Sequence, residues 1–596
     1  MYFPNRVLVW VGTFLFCTLH TNAQSPPQII GVTPTPQEIS APPNTMLTIL
    51  FDRVMDSLSV NDSTFQVFGR WSGVMTGSFS WEDGYSRLIF TPDADFFSGE
   101  WVTVSLSREI RDSDQHTLSH GFTFNFWIAT HSSSLELNQV DVISVRQPGE
   151  GHIQTYGAYA GDLNRDGYTD YTVPNEISND VRVFLNDQQG GYQNFEIFPL
   201  PSANRPSTNE GADFNGDGFI DIAVGNTQNN QVQVLLGDGN GQFLSINSFP
   251  AGNGVRGLSV ADIDDDGDMD IITANRVSSN LSILLNDGNG LFSAPIYVEG
   301  GGDGETACAV ADADGDGILD VFVGSYQSDD IQLLIGDGNG GLVLSSSVNL
   351  PAGSRPWMIT VGDVNHDGFV DVVSANSGTA TASVILGDGN GNLQLSQTYS
   401  TGASFPLAID LGDIDGDGDL DMVVSNFGTT IPGSGKWRLW ENDGNGHFIH
   451  PADYPAPIAA SCAVLHDRDN DGDLDMTGID EMDDKLILFA TDLSAVNNEI
   501  SPGLASFHLY PNYPNPFNPF TNIRFRVMKP GKLTVNIYNL SGELIRTLAD
   551  RYYTQGEFTV QWDGSNSIGE KVASGIYFYQ LSASQFSVTR KMVLLQ

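Results

Sequence analysis

Across residues 137–490 the chain repeats one cadence of apolar and polar positions, and the third repeat shows it. Gly257 to Ala261 is small and apolar, Asp262 to Asp270 is an acidic loop, and Asp270-Ile271-Ile272-Thr273 is an apolar run. Leu281 to Leu285 is a second such run. Asn286-Asp287-Gly288-Asn289-Gly290 is a tight turn built from residues that tolerate positive φ, and Leu291 to Val298 follows as a last strand. Short apolar runs bounded by turn residues predict buried strands. The acidic loops begin at Asp162, Asp213, Asp262, Asp312, Asp363, Asp413 and Asp467, at steps of 51, 49, 50, 51, 50 and 54 residues. A fixed period near fifty, with four strands per unit, predicts seven propeller blades in a closed ring. The seventh repeat ends after Lys485 to Phe489 without a fourth strand. Residues 140–146, just before the first repeat, have strand composition and no blade of their own. They are predicted to pair as the outermost strand of blade seven, which would lock the ring and cover an edge.

The flanks alternate in the β manner. In 44–130 the runs are Met46 to Phe51, Leu88 to Phe90, Trp101 to Leu106 and Phe122 to Phe126, which predict a small β-sandwich. Residues 24–43 are rich in proline and polar residues and read as a linker, 131–136 as a short joint, and 491–506 as a second linker. Residues 507–596 predict another small β-sandwich, with runs at Thr521 to Phe525, Val535 to Asn539, Gly575 to Tyr579 and Lys591 to Leu595. The expected fold class is all-β. Residues 1–23 read as a signal peptide: Arg6 supplies charge, Val7 to Leu19 the apolar run, and Thr21-Asn22-Ala23 the cleavage site. No transmembrane helix is expected after its removal.

Charge narrows the partners. Seventy-three acidic residues against 26 basic ones give a formal net charge of -47, so nucleic acid is not an expected partner. Only Cys308 and Cys462 remain after the signal, in repeats that are not neighbours in a ring, and no disulfide is expected between them. A chain exported without disulfides needs another staple, and metal can serve.

Every acidic loop has Asp at positions 1, 5 and 9, Asp or Asn at position 3, and Gly at position 6. The candidate ligand sets are Asp162, Asn164, Asp166 and Asp170; Asp213, Asn215, Asp217 and Asp221; Asp262, Asp264, Asp266 and Asp270; Asp312, Asp314, Asp316 and Asp320; Asp363, Asn365, Asp367 and Asp371; Asp413, Asp415, Asp417 and Asp421; and Asp467, Asp469, Asp471 and Asp475. Oxygen ligands at this spacing converge when the chain curls around a cation, Gly permits the sharp turn, and the carbonyl at position 7 can add a ligand. Hard oxygen donors in a flexible loop suit calcium better than zinc, copper or magnesium, with up to seven ions expected. An EF-hand needs Glu at position 12. Here that place holds Val173, Val224, Thr273, Val323, Ser374, Val424 and Gly478, so strand–loop–strand sites are predicted.

These loops resemble the FG-GAP, or VCBS-type, repeats of integrin α-subunit propellers and bacterial surface proteins. The resemblance implies calcium between the first and second strands of each blade. The FDRVMD run from Phe51, LIFTPDADF from Leu88 followed by Gly99, and IRDSDQHTL from Ile110 make 44–130 resemble bacterial Ig-like domains. The YPNPFNP opening from Tyr513 and the terminal Lys-apolar run look like a type A sorting domain of type IX secretion. That resemblance implies recognition by the secretion machinery, and secretion to or beyond the outer surface of a Gram-negative bacterium.

Strand direction puts the acidic loops and the Asp-Gly-Asn-Gly turns on one face. The opposite face collects Arg205, Arg256, Arg355, Trp357 and Phe405, which are the candidate ligand-binding residues for an extracellular glycan or protein. No Ser/His/Asp, zinc or phosphate-loop signature is present, so no catalytic residue is assigned and the protein is not expected to be an enzyme. The leading expectation is a secreted or cell-surface adhesion module. The alternatives are a carbohydrate-active enzyme such as a polysaccharide lyase, and a structural surface-layer component.

Overall fold

The computed structural model describes residues 25–491, 507–509, 512, 517–527, 531–539, 544–554, 556–583 and 586–595. The expected signal peptide, most of the linker 491–506 and most of the YPNPFNP motif lie outside these residues. The chain divides into two compact units, Met1–Asp492 and Leu493–Gln596. Among the described residues no helix is long and apolar enough to cross a membrane.

In the first unit, two antiparallel four-stranded sheets form an N-terminal sandwich. One orders Ile29–Thr33, Leu47–Phe51, Arg87–Pro92 and Gly77–Glu82; the other Gly73–Val74, Phe65–Gly69, Trp101–Leu106 and Phe122–Trp127. Strict alternation in Leu47–Phe51 and Phe65–Gly69 sends every second side chain into one core. The segment expected as a linker, 24–43, is instead part of this sandwich. Ile29–Thr33 pairs with Leu47–Phe51, and Ala41 is fully buried and bridges Ile128. Its prolines mask a short edge strand whose outer positions are exposed, which hides the apolar pattern.

The seven repeats each form one antiparallel four-stranded sheet. In blade three the strands are Val255–Ala261, Asp270–Asn275, Asn280–Leu284 and Ile296–Val298. Each blade's second strand is buried at all six positions, because the neighbouring blades cover both of its faces. The first strands line a channel. Each lies against the first strand of the next blade, and Ala460–His466 of blade seven lies against Tyr159–Gly161 of blade one. Blade seven takes its fourth strand from Leu137–Ser144, which pairs with Lys485–Thr491 and closes the ring.

The sandwich does not hang free. The loop from Gly69 to Gly73 enters the ring on the acidic-loop face. Trp71 is buried against His466, the Arg70 carbonyl accepts from the Tyr159 hydroxyl at 2.6 Å, and the Arg70 guanidinium lies 3.6 Å from Asp410. Glu100 holds that loop from inside the sandwich. Its carboxylate accepts from the main-chain N–H groups of Trp71, Ser72 and Phe97 and from the Ser72 hydroxyl, and burial pushes it up to about 7.

The second unit is a smaller sandwich. A three-stranded sheet (Phe507–Leu509, Thr521–Val527, Gly556–Trp562) faces a four-stranded one (Leu544–Tyr553, Gly531–Asn539, Gly575–Ala583, Phe586–Leu594) over a core that includes Trp562 and Tyr579.

Glu100→Ala strands one buried and two half-buried amides and frees the plugging loop. It is expected to cost about 3 kcal/mol, read as a lowered first melting transition and new protease cuts between Gly69 and Gly73.

Candidate metal loops and the opposite channel mouth

The seven loops share one hydrogen-bond pattern. The carboxylate at position 1 accepts from the N–H of the position-6 glycine, at 2.7–3.1 Å. The carboxylate at position 5 accepts from the N–H of position 7. The carboxylate at position 9 accepts from the N–H of position 2. In blades one to six, position 9 also accepts from the N–H at the start of the following turn. That one aspartate ties the loop, the second strand and the end of the third. All seven position-6 glycines have φ between 82° and 98°, a region closed to most side chains.

Position 4 is also left-handed in every loop, yet four of these residues are not glycine: Arg165 (58°), Asp265 (60°), His366 (59°) and Asn470 (59°). Each uses its side chain as a tie. Arg165 donates to the Gly218 carbonyl and lies over Phe219, His366 bonds Asp419, and Asn470 donates to the Gly167 carbonyl, so each reaches the next blade's loop. Asp265 accepts from the Gly121 N–H of the sandwich.

The carboxylates are crowded and under-neutralised. Four clusters bring three ligand oxygens within 4.8 Å of one another: Asp262, Asp264 and Asp270; Asp312, Asp314 and Asp316; Asp413, Asp415 and Asp421; and Asp467, Asp469 and Asp471. Buried oxygens of Asp264, Asp413, Asp467 and Asp469 have no hydrogen-bond partner. Burial, and then neighbouring carboxylates, push Asp421 up to about 9. Burial likewise pushes Asp170, Asp221 and Asp371 up to about 8 and Asp320 up to about 7. Orphaned hard oxygens within one ion's diameter are the donor set a divalent cation requires, so the residues fit such an ion. Loop seven differs. Arg468 places its guanidinium 3.2 Å from Asp469 and 3.5 Å from Asp475, an internal countercharge the other loops lack.

The sandwich and the joint 131–136 dock on these loops. Arg108 donates to the Asp264 carbonyl, the Thr123 N–H to that of Gly317, the Thr130 hydroxyl to that of Asp413, the Ser133 N–H to that of Asp415 and the His131 N–H to that of Gly472. All of these carbonyls belong to positions 1 to 6. The carbonyls at position 7, the ones a cation would use, are left alone. The joint expected from sequence is thus a bonded strap across blades six and seven.

On the opposite face the residues eight and six before, and fourteen after, the first Asp of each loop form a mouth around the channel. From blade one to blade seven the first set is Gln154, Arg205, Gly254, Gly304, Arg355, Phe405 and Ala459. The second is Tyr156, Ser207, Arg256, Thr306, Trp357, Leu407 and Ser461. The third is Glu176, Thr227, Arg276, Tyr326, Ser377, Phe427 and Glu481. In all seven blades the first-set carbonyl accepts from the third-set N–H. The sequence-predicted Arg205, Arg256, Arg355, Trp357 and Phe405 therefore stand together. Trp357 donates to the Tyr156 hydroxyl at 2.8 Å, and Arg256 lies over both rings. Glu176 takes Arg205 at 2.8 Å and Arg256 at 3.4 Å. Sequence reasoning missed Arg276, Tyr326, Glu176 and Glu481, although their constant offset from each loop marks them. Below the mouth lies a cavity of about 290 Å³ that ends against Arg70, Trp101 and Trp127 of the sandwich. Cys308 and Cys462 line it, and burial pushes both thiols up to about 12, so neither is a thiolate at neutral pH.

Carboxylates whose pKa is raised on folding bind protons more tightly in the native state, so they lower stability as pH climbs from about 4 to about 8. His466, held by burial down to about 3, acts the other way below about 6.5, but it is one group against five. Protein stripped of divalent cations is expected to melt about 5 °C higher at pH 6 than at pH 8. Saturating calcium should flatten that slope in calorimetry.

Family models locate these parts in known proteins. An FG-GAP-like repeat model matches residues 162–224, 213–273, 265–323, 312–374 and 363–424, which takes in the first six loops; the seventh shares their register. A bacterial Ig-like domain model matches 23–127 and a FlgD Ig-like domain model matches 524–587. No curated protein matches the chain. Similar solved structures include an Agrocybe aegerita lectin titled for recognition of non-reducing terminal N-acetylglucosamine (16% identity, 67% of this chain and 93% of that one, TM-score 0.36). A putative 6-phosphogluconolactonase of Bacteroides uniformis (16%, 56% and 95%, 0.38) and a fungal alcohol oxidase in complex with copper (11%, 77% and 100%, 0.40) are also similar. Likeness at this level says nothing of ligand or activity. The chain carries an N-terminal bacterial Ig-like domain, FG-GAP-like repeats and a C-terminal Ig-like domain.

Proposed function

We propose that this protein is an exported, calcium-stabilised β-propeller that binds an extracellular glycan or protein at the channel mouth, by recognition and not by turnover. The observation that carries the reading is backbone strain at the mouth. Arg205, Arg355 and Phe405 have φ of 57°, 55° and 59°, where blades three and four use Gly254 and Gly304, and each precedes a proline. A non-glycine residue in this conformation costs on the order of 1 kcal/mol or more, and such strain clusters where side chains act. Two arginines and a phenylalanine are thus held at the rim at a cost to stability. Arg and aromatic residues are the side chains that dominate recognition surfaces.

In this reading the acidic loops are structural. The position 1, 3, 5 and 9 oxygens and the position-7 carbonyl would hold calcium, which supplies the countercharge the crowded aspartates lack. The sequence signatures support passage through a type IX route to the cell surface of a Gram-negative bacterium, with the second unit as the sorting domain. The buried, protonated thiols support binding over catalysis.

Two measurements test this. Excess EDTA added to calcium-loaded protein is expected to lower the melting temperature by roughly 10 °C, since seven sites at ten times their dissociation constants contribute about 1.4 kcal/mol each. An unchanged melt rejects the structural role of calcium. On a combined glycan and extracellular-protein array, binding should be retained by wild type and weakened about tenfold by Arg355→Ala. Turnover of an arrayed polysaccharide, or no binding at all, rejects the reading.

A further inference from the structure

We infer that the channel mouth takes an acidic saccharide unit, with its carboxylate or sulfate between Arg276 and Arg355 and its hydroxyls on Ser207 and Glu481. The inference rests on the binding role proposed above and narrows it to one ligand class.

Charge at the mouth runs against the whole molecule. In a chain of net charge -47, four guanidiniums gather there: Arg205, Arg256, Arg276 and Arg355. Glu176 answers the first two. Among the described residues neither Arg276 nor Arg355 has a salt-bridge partner. The adjacent Asp329 carboxylate is taken by the main-chain N–H groups of Gly353 and Arg355. Both unpaired guanidiniums flank one ring, with Arg276 at 4.1 Å and Arg355 at 5.5 Å from the centre of Tyr326. An arginine stacked on an aromatic face keeps its N–H edge free for a planar oxyanion. Burial holds the Arg276 guanidinium below its usual range, Tyr326 offsets part of this, and the like charges of Arg256 and Arg355 add to it.

Two buried polar groups of the same mouth also lack partners. Ser207 and Glu481 are 1% and 5% exposed, and the Ser207 Oγ and Glu481 Oε2 atoms make no hydrogen bond. Buried polar atoms without partners are rare and point to a ligand or water that satisfies them. A carboxylate acceptor next to cationic donors suits a ligand that carries both hydroxyls and an anion. Phe405, 38% exposed and 5.7 Å from Trp357 between ring centres, offers the flat apolar surface on which a sugar ring stacks. The cavity of about 290 Å³ below the mouth is lined by Ser207, Arg256 and Trp357.

The test is calorimetric titration of the calcium-loaded full chain with four probes: trigalacturonate, its methyl ester, a sulfated galactose disaccharide, and a hexaglutamate peptide. Trigalacturonate or the sulfated sugar should bind at least about tenfold more tightly than the neutral ester and the peptide. The stronger of the two identifies the anion as carboxylate or sulfate. Arg276→Ala and Arg355→Gln should each weaken binding about tenfold, whereas Arg438→Ala, at a distant ion pair with Asp453, should not. Circular dichroism and the melting temperature exclude misfolding as the cause. Equal affinity for ester and acid, or tighter binding of the peptide, overturns the inference while leaving a binding role in place. Binding to none of the four overturns the inference, and array binding in that case shows that the broader reading survives it.

Discussion

The first unit depends on buried aspartate carboxylates bonded to main-chain N–H groups. At position 9 of each loop one carboxylate joins the loop to the strand it opens, and in six blades it also reaches the turn that follows the third strand. This bond satisfies main-chain donors inside the disc, and it is costly because the acceptor is buried, which pushes these carboxylates toward the protonated form. Repeating it seven times produces a rigid disc and, with it, a surplus of negative charge on one face. Most of the other features of that face respond to this surplus.

One response is a set of side-chain ties between neighbouring loops. Loops one, five and seven put Arg, His or Asn at position 4, where the backbone is left-handed, and each reaches across the seam to the next loop. A second response is the sandwich itself. It rests on loop carbonyls, pushes Arg70 toward Asp410 and stops one end of the channel. The faces then divide the work. The sandwich and the joint cover part of the loop face, and the far mouth lies on the other side of the disc.

The repeat, the ring and the shared register of the loops were legible because they recur. A single Asp-Gly pair says little, whereas seven in one register specify a geometry. The closing strand was legible by elimination, since Val140 to Arg146 had no blade. What escaped has physical reasons. Ile29–Thr33 is an edge strand with three exposed residues beside prolines, so alternation is weak. The docking of the sandwich is carried by main-chain carbonyls, which leave no trace in residue identity. Arg276, Tyr326 and Glu481 are singletons at a shared offset, visible only once the fold shows that offset to be a rim.

Closure by Leu137–Ser144 fixes an order of events. A chain made from its amino end presents that strand long before Lys485–Thr491, its sole partner in the sheet, exists. Until then the toroid stays open, with blade one lacking its neighbour. Completion of the disc therefore reports that the last blade has arrived, which makes the fold its own check against truncated product.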